Sequence, residues 1–557
     1  MPKPSVCVIG AGISGLAAIK ECKNVGLDPV CYELNSDLGG IWTSDRNGKT
    51  SNTPWAWDNL ITNTSKYIIT FSDFHATQDT PPFLTRNDVY EYFRSYAEHF
   101  QLTDCIQYDT RVLKVRKTPD HSSTGQWEVF TCPTSQFHGR DKRCGLAVSK
   151  EDLNRCHKEV FDVVLVCSGC FKIPVYPEIP GLDSFPGIVR HSFDYKSGFV
   201  YEDKKVLVVG NSFSAGDVAN DVSMYSKKVV DLTVGRGTWI APRVHHGGLP
   251  TDRNPSRYQL YYETEENTNN KIIADCQSRL DHFASGINPD EPPTRSAFML
   301  GDEIYLKILT DRVRIKDELL RFNGSTAEFK SGAKTCDIDA VIFCTGYKGD
   351  MSFVEDVNVS IDRGRMDLYN FMLPIEEKHH TLAFLGFLAG DGAPSQAIEL
   401  QARYAARLIT GKIAPPSKEA MKRNIETMKS FSYARKGKFS YQIPLLKLCD
   451  FIASEIGVYP RFWRVFWRDP ILAFRLWSGP IFSAQYRLLG PDSDWKKARA
   501  ACYRAHEVMT SNPTERGKVT VRRDDVTAAR RRQLFFLICG VSAMVAVGYV
   551  GFSRSWF

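Results

Sequence analysis

Two glycine-rich turns hold the residues whose types and spacing most clearly announce chemistry. The first, Gly10-Ala11-Gly12-Ile13-Ser14-Gly15, follows the apolar run Val6-Cys7-Val8-Ile9. The second, Gly210-Asn211-Ser212-Phe213-Ser214-Ala215, follows Val206-Leu207-Val208-Val209. Strand, glycine turn and helix in that order bring backbone N–H groups, and the positive end of a helix, up to a pyrophosphate. One such turn is a weak signal. Two in one chain imply two dinucleotides held together, and electron transfer between them.

The residues that follow each turn separate the two nucleotides. After the first comes the strand-like Asp28-Pro29-Val30-Cys31-Tyr32-Glu33, with Glu33 placed where a carboxylate hydrogen-bonds ribose hydroxyls and repels a 2′-phosphate. The next segment, Asp37-Leu38-Gly39-Gly40-Ile41-Trp42, has a glycine pair that resembles the second phosphate contact of two-dinucleotide flavoproteins. FAD fits this turn better than NAD or NADP. The second turn has Ser212 and Ala215 at positions usually held by glycine, both small enough for close backbone approach. Its following strand, Val230-Asp231-Leu232-Thr233-Val234, ends in Gly235-Arg236-Gly237 with no acidic residue at its tip. A guanidinium there pairs with a phosphate and stacks on adenine, so NADPH fits better than NADH.

Further segments, taken together, resemble the flavin-containing monooxygenase family in its animal microsomal, dimethylaniline N-oxide-forming type. Phe185-Pro186-Gly187 through His191 to Tyr195 matches the F-x-G-x-x-x-H-x-x-x-Y fingerprint, and Ile61-Thr62-Asn63-Thr64-Ser65-Lys66 resembles the active-site asparagine segment. Phe343-Cys344-Thr345-Gly346-Tyr347 resembles F-A-T-G-Y. Glu399-Leu400-Gln401-Ala402-Arg403 resembles a helix near the flavin, and Gln485-Tyr486-Arg487-Leu488-Leu489-Gly490-Pro491 a late segment of the animal members.

The resemblance implies an NADPH- and O2-dependent monooxygenase that oxygenates soft nitrogen or sulfur centres of small lipophilic molecules through a C4a-hydroperoxyflavin. The alternatives are Baeyer–Villiger oxidation of ketones and an NADPH oxidase releasing hydrogen peroxide. Tyr195 favours heteroatom oxygenation over ketone oxidation. Asn63 is the expected catalytic residue, a neutral carboxamide that donates and accepts hydrogen bonds. The expected cofactor contacts are Gly10, Gly12, Ser14, Gly15, Glu33, Gly39, Gly40, Ile41, Trp42, Asn63, Thr64, Ser65, Gly210, Ser212, Ser214, Ala215, Arg236, Thr345, Gly346 and Gln401. No metal site is expected. His191 and Tyr195 are expected to couple domain position to cofactor binding. Where the family often has two arginines this chain has Gly235 before Arg236, which implies looser 2′-phosphate binding and some tolerance of NADH. Cys167-Ser168-Gly169-Cys170 has redox-motif spacing but follows a strand in a turn position, so it is read as a turn.

These motifs need an α/β architecture: two Rossmann-like dinucleotide-binding domains, a helical C-terminal region and a C-terminal transmembrane helix. The motif positions divide the chain into a first FAD part at 1–160, an NADPH domain at 161–336 and a second FAD part at 337–445. A polar, irregular insertion is expected at 239–295. A helical, membrane-associated region follows at 446–532 and an anchor at 533–553. Leu534 to Phe552 carries no charge, is long enough to span a bilayer, and is preceded by Arg530-Arg531-Arg532. The catalytic body is therefore expected to face the cytosol, and the resemblance places it at the endoplasmic reticulum. Between Ser454 and Leu489, aromatic and basic residues alternate, including Trp463, Trp467 and Trp477 with Arg461, Arg464 and Arg468. Two compatible readings follow: a helical subdomain with its own core, and a platform lying on lipid.

Composition agrees with this frame. The chain has 557 residues, 43% hydrophobic and 24% charged, with a net charge of +7 and no concentrated basic stripe that would suit nucleic acid. Its 15 cysteines are odd in number and scattered, which suits free thiols in a reducing compartment. The N-x-S/T matches at Asn63, Asn323 and Asn358 are then coincidental.

Overall fold

In the computed structural model, the first apolar run forms the strand Val6–Ile9, buried along its whole length, and enters the helix Ile13–Asn24 through the glycine turn. The structure describes residues 2–43, 53–77, 79–137, 148–245, 248–253, 256–357, 367–431 and 442–510. Five parallel strands make the first sheet, in the order Leu382–Phe384, Val163–Val166, Val6–Ile9, Pro29–Tyr32, Ile106–Gln107. Five more make a second parallel sheet, in the order Ile188–His191, Ala340–Phe343, Val206–Val209, Val230–Thr233, Val313–Lys316. The inner strands Val6–Ile9, Val163–Val166, Val206–Val209 and Ala340–Phe343 are buried on both faces and read as unbroken apolar runs, whereas Ile106–Gln107, Ile188–His191 and Val313–Lys316 are partly exposed and carry no such signal. Side chains alternate across the second sheet: Val206, Val208, Ala340 and Ile342 face one core, and Leu207, Val209, Val341 and Phe343 the other.

Two strands belong to the sheet opposite to the one expected. Val163–Val166 falls within the expected 161–336 segment but pairs with Val6–Ile9. Ala340–Phe343, expected to reopen the FAD part, pairs with Val206–Val209. Local pattern shows that a run is a buried strand. Which neighbours it pairs with is decided by distant segments. The chain therefore leaves the first sheet after Val166 and returns to it at Leu382. The outward and return connections meet as a two-stranded antiparallel ribbon, Ile173 opposite Lys348 and Pro174 opposite Tyr347.

The 239–295 segment is not irregular. Its strand Trp239–Ala241 pairs in parallel with Phe298–Leu300, and between them lie the helices Arg257–Tyr262 and Glu265–Gln277. Ser256 with Gln259 forms a capping box, and Thr264 caps the second helix through Asn267 N–H. The polar run Asn267-Thr268-Asn269-Asn270-Lys271, which suggests a loop, lies inside the second helix, and Ser256 and Thr264 start the two helices.

Helices Leu445–Glu455, Phe462–Phe466, Pro470–Ser478 and Trp495–Thr510 follow. They enclose a small core of Val465, Leu472, Leu476, Leu488 and Cys502, while Trp463 and Trp467 stay exposed. Arg257 bridges this region to the 239–300 excursion, meeting Asp450 through Nε at 2.9 Å and Nη2 at 2.7 Å. Arg487 of the late motif reaches three carboxylates, at 2.8 Å from buried Glu399, 3.1 Å from buried Glu21 and 3.0 Å from the more open Asp73. Lys20 pairs with Glu21 at 2.8 Å and with Asp73. Burial pushes Glu21 up, yet Lys20 and Arg487 hold it down at about 2. Lys20 and Arg487 together engage all three carboxylates, so the cluster is an ionic clamp. The expected membrane span lies outside the described residues. Among the described residues, no helix is long and apolar enough to cross a membrane.

Candidate functional site

Both glycine turns open into one cavity of about 2240 Å³. A pocket for one drug-sized ligand occupies roughly 300–1,000 Å³, so this space suits more than one. It is lined by Gly10, Gly12, Ser14, Glu33, Gly39, Gly40, Ile41, Trp42, Asn63 and Thr64 on the first side. Gly210, Ser212, Ser214, Arg236, Thr345 and Gly346 line the second. Gly15, Ser65, Ala215 and Gln401, expected as contacts, stand behind this wall.

The wall is shaped for bare backbone. Gly10 has φ +100°, and a Cβ there would lie 2.9 Å from Cys167 O. Gly12 and Gly40 face each other, with a Cβ on Gly40 reaching to 3.2 Å from Gly12 Cα. Behind them, a Cβ on Gly15 would lie 1.8 Å from Gly10 O, so only glycine lets the helix close onto the turn. Neither glycine helix has a side-chain cap or an acidic first turn. The helices beginning at Arg86, Lys150 and Arg257, by contrast, each have a capping box. Uncapped N–H groups with no nearby carboxylate in the first turn are what an incoming phosphate needs.

Glu33 is buried and accepts from Ala11 N–H at 2.6 Å and Asn35 N–H at 2.9 Å. Burial raises its pKa, and those two N–H groups oppose the rise. Its carboxylate therefore braces the turn as well as lining the cavity. Arg236 is exposed at the rim, on a loop tied to the second turn by Asn211 Nδ2 donating to Gly237 O at 3.0 Å. Gln401 is fully buried: its Oε1 accepts from Gly386 N–H at 3.0 Å, and its Nε2 donates to Asn370 O at 3.0 Å. Gly386 abuts Ser14, so Gln401 supports the wall from behind.

Asn63 lines the cavity, and its partners tie it to the second glycine helix. Arg243 Nε donates to Asn63 Oδ1 at 3.2 Å, while its Nη2 pairs with Asp217 at 2.6 Å and its backbone N–H with Asp302 at 3.0 Å. Arginine only donates, so this contact fixes which end of the carboxamide faces it. Asp217 belongs to the second glycine helix, Phe213–Tyr225. Burial pushes it up to about 6 against the pull of Arg243. Asp252 accepts from Ser65 Oγ at 3.1 Å and from Ser65 N–H, and burial pushes it to about 6 as well. Sequence alone gave little signal for these three. Arg243 and Asp252 fall in the stretch read as irregular, and Asp217 looks like the solvated face of a helix.

The fingerprint residues sit behind the cavity. Tyr195 O–H donates to Asp221, which also accepts from Gly198 N–H and Asn59 Nδ2, both at 2.8 Å. This joins the second glycine helix to the segment leading to Asn63. His191 is buried, accepts from Phe193 N–H at 3.1 Å, and is pushed down to about 4 by burial. A neutral packed imidazole suits a structural coupling. Cys167 and Cys170 are free thiols, and burial pushes Cys170 to about 11, as befits a turn with no poised thiolate.

Two parallel sheets, each delivering an uncapped helix to one shared cavity, define a two-dinucleotide oxidoreductase fold. Residues 3–547 match the model of a family described as flavin-binding monooxygenase-like. The chain is 34% identical over 508 residues to dimethylaniline monooxygenase (N-oxide-forming) 2 of Mus musculus, covering 89% of this chain and 90% of that protein. It is 33% identical over 512 residues to flavin-containing monooxygenase 2 of Homo sapiens, covering 89% and 91%. Two solved structures share the fold. S-allyl-L-cysteine S-oxygenase from Allium sativum has a TM-score of 0.57 at 20% identity, over 92% of this chain and 99% of that one. Cyclohexanone monooxygenase from Rhodococcus sp. Phi1, bound to NADP+, has a TM-score of 0.57 at 15% identity, over 82% and 97%. The chain belongs to the flavin-containing monooxygenase family, whose members are FAD- and NADPH-dependent oxidoreductases, and it is an enzyme of that family.

Proposed function

We propose that this enzyme uses NADPH and O2 to oxygenate soft nitrogen or sulfur centres of small lipophilic molecules, with FAD at the first glycine turn and NADPH at the second. The observation that carries this reading is the single cavity lined by both turns and by Asn63. The residues present fit both groups: a glycine-on-glycine cradle, uncapped helix ends, and an arginine without an acidic neighbour at the second strand tip. A bound nicotinamide supplies the hydride, and a bound flavin supplies the activation of oxygen.

The protein's own residues bind, orient and shelter. N–H groups at the starts of the helices Ile13–Asn24 and Phe213–Tyr225 receive the two pyrophosphates. Arg236 holds the 2′-phosphate. Asn63 presents its amide N–H2 to the cavity because Arg243 occupies its carbonyl oxygen. A neutral group there avoids repelling a developing anion, and Trp42, Ile61 and Ile398 keep the surroundings apolar. We further place the enzyme at the endoplasmic reticulum, held by the 533–553 segment with its catalytic body towards the cytosol.

The test is Asn63→Asp. It should keep bound flavin and NADPH oxidation but lose oxygenation of a thioether, with the reducing equivalents appearing as hydrogen peroxide. Undiminished sulfoxide formation would remove Asn63 from the mechanism, and ester formation from a ketone in the wild type would favour the Baeyer–Villiger alternative.

A further inference from the structure

The three-stranded antiparallel sheet of Thr110–Lys117, Trp127–Pro133 and His157–Phe161 holds Cys132 in its middle strand and has Cys156 immediately before its third, two cysteines that the proposed chemistry does not use. Its register runs without a slip from Trp127 opposite Phe161 to Thr131 opposite His157. The next residue outward on each side is a cysteine, Cys132 and Cys156. Residues opposite one another on antiparallel neighbours have Cα atoms roughly 4.5–5.5 Å apart, within the roughly 4.4–6.8 Å that a disulfide spans. Both side chains lie in one small apolar cluster with Leu113 and Val148, where the two sulfurs are neighbours; the Cys156 thiol donates to Asp152 O at 3.1 Å and the Cys132 thiol to Arg111 O at 3.9 Å. Both are free; Cys132 is buried and Cys156 is partly open to solvent. Leu113 and Val148 also line the main cavity, so the pair stands directly behind its wall.

We propose that Cys132 and Cys156 form a dithiol that hydrogen peroxide closes to a cross-strand disulfide. Cys156, the accessible member, attacks one peroxide oxygen; the O–O bond breaks, leaving a sulfenic acid and one water. The Cys132 sulfur then attacks the Cys156 sulfur, the S–S bond forms, the S–O bond breaks and a second water leaves. Two thiols lose two electrons and two protons, and one peroxide becomes two waters. The order of attack follows from access, since Cys156 is partly open to solvent and Cys132 is buried. Burial pushes Cys132 up to about 12 and raises Cys156 above the ordinary thiol range, which lowers the thiolate fraction and slows the attack on peroxide. Closing the bond would pin the stretch from Val148 to Cys156 against the strand pair behind Leu113.

The experiment uses the full-length flavin-bound protein and hydrogen peroxide as the probe. After exposure the peroxide is quenched, the protein is denatured and its free thiols are blocked with iodoacetamide; reduction and a second alkylating label then reveal oxidised positions by peptide mass spectrometry. Cys132 and Cys156 should change label together, and a non-reducing digest should contain their linked peptide. Exposed Cys336 and buried Cys449 should not join it. Cys132→Ser should leave Cys156 as a sulfenic acid that dimedone traps, and Cys156→Ser should leave Cys132 reduced. Retention of the first label at both positions, under peroxide that oxidises Cys336, would overturn the proposal. So would oxidised Cys132 in Cys156→Ser. The wild-type mapping decides the matter even where a variant folds poorly.

Discussion

Asp217→Asn removes a charge where its thermodynamic consequence can be worked out. The Asp217 and Arg243 side chains are 13% and 9% exposed, at 2.6 Å. Burial lifts the carboxyl from an ordinary 3.8 to about 6; Arg243 pulls it down, and Glu303 and Asp221 push it up. The folded value exceeds the unfolded one, so the fold binds this proton more tightly. That contribution is complete below the unfolded value and is lost as pH rises through about 6. Between about pH 5 and about pH 7 the loss is about one factor of ten in the folding constant, or about 1.4 kcal/mol. Asparagine cannot titrate, so the variant should lack this increment. Urea unfolding of both proteins at the two pH values measures it. The same proton also bears on function: below about pH 6 the ionic grip on Arg243 gives way to a neutral hydrogen bond, roughly half as strong. Product formed per NADPH should therefore fall in the wild type as pH drops through that range, while Asp217→Asn is low and flat throughout. Parallel stability and coupling profiles for the two proteins would refute the reasoning.

Arg236→Ala should raise the KM for NADPH by roughly 10–100-fold, the loss of charge-assisted hydrogen bonds, and leave that for NADH nearly unchanged; steady-state kinetics with both coenzymes decide it, and equal effects would defeat the assignment. Gly15→Ala puts a Cβ 1.8 Å from Gly10 O and should yield protein without yellow colour; a normal flavin spectrum would contradict the turn's role. Arg487→Leu leaves Glu21, Glu399 and Asp73 short of a cation and should cost roughly 3–5 kcal/mol in chemical unfolding. A loss under about 1 kcal/mol would mean the clamp is replaceable by packing.

Much of the fold is legible in the sequence because its inner strands are apolar on both faces and its turns need glycine. Gly10, Gly12, Gly39, Gly40 and Gly210, singled out by their motifs, line the cavity, and so do Glu33, Asn63 and Arg236. Gln401 falls behind it, since a motif tells that a residue matters and not whether it touches a ligand or holds up one that does. The misplaced strands, Val163–Val166 and Ala340–Phe343, differ in another way. Each is locally correct, but sheet membership is settled by partners up to hundreds of residues away. Arg243 escaped notice because its meaning lies entirely in Asn63 and Asp217, at sequence separations of 180 and 26.

The paired connections at Ile173–Pro174 and Tyr347–Lys348 bear on how such an enzyme is re-engineered. A module that the polypeptide both enters and exits through adjacent threads is an inset, not an appended block. Exchanging it between relatives takes two splice points, and both fall beside the same short ribbon. Thr345 Oγ1 bonds Val175 O at 2.5 Å and Val175 N–H bonds Gly346 O at 3.0 Å, so a chimera must import these threads as a matched couple. A single nick in either thread would still leave the module moored by the other.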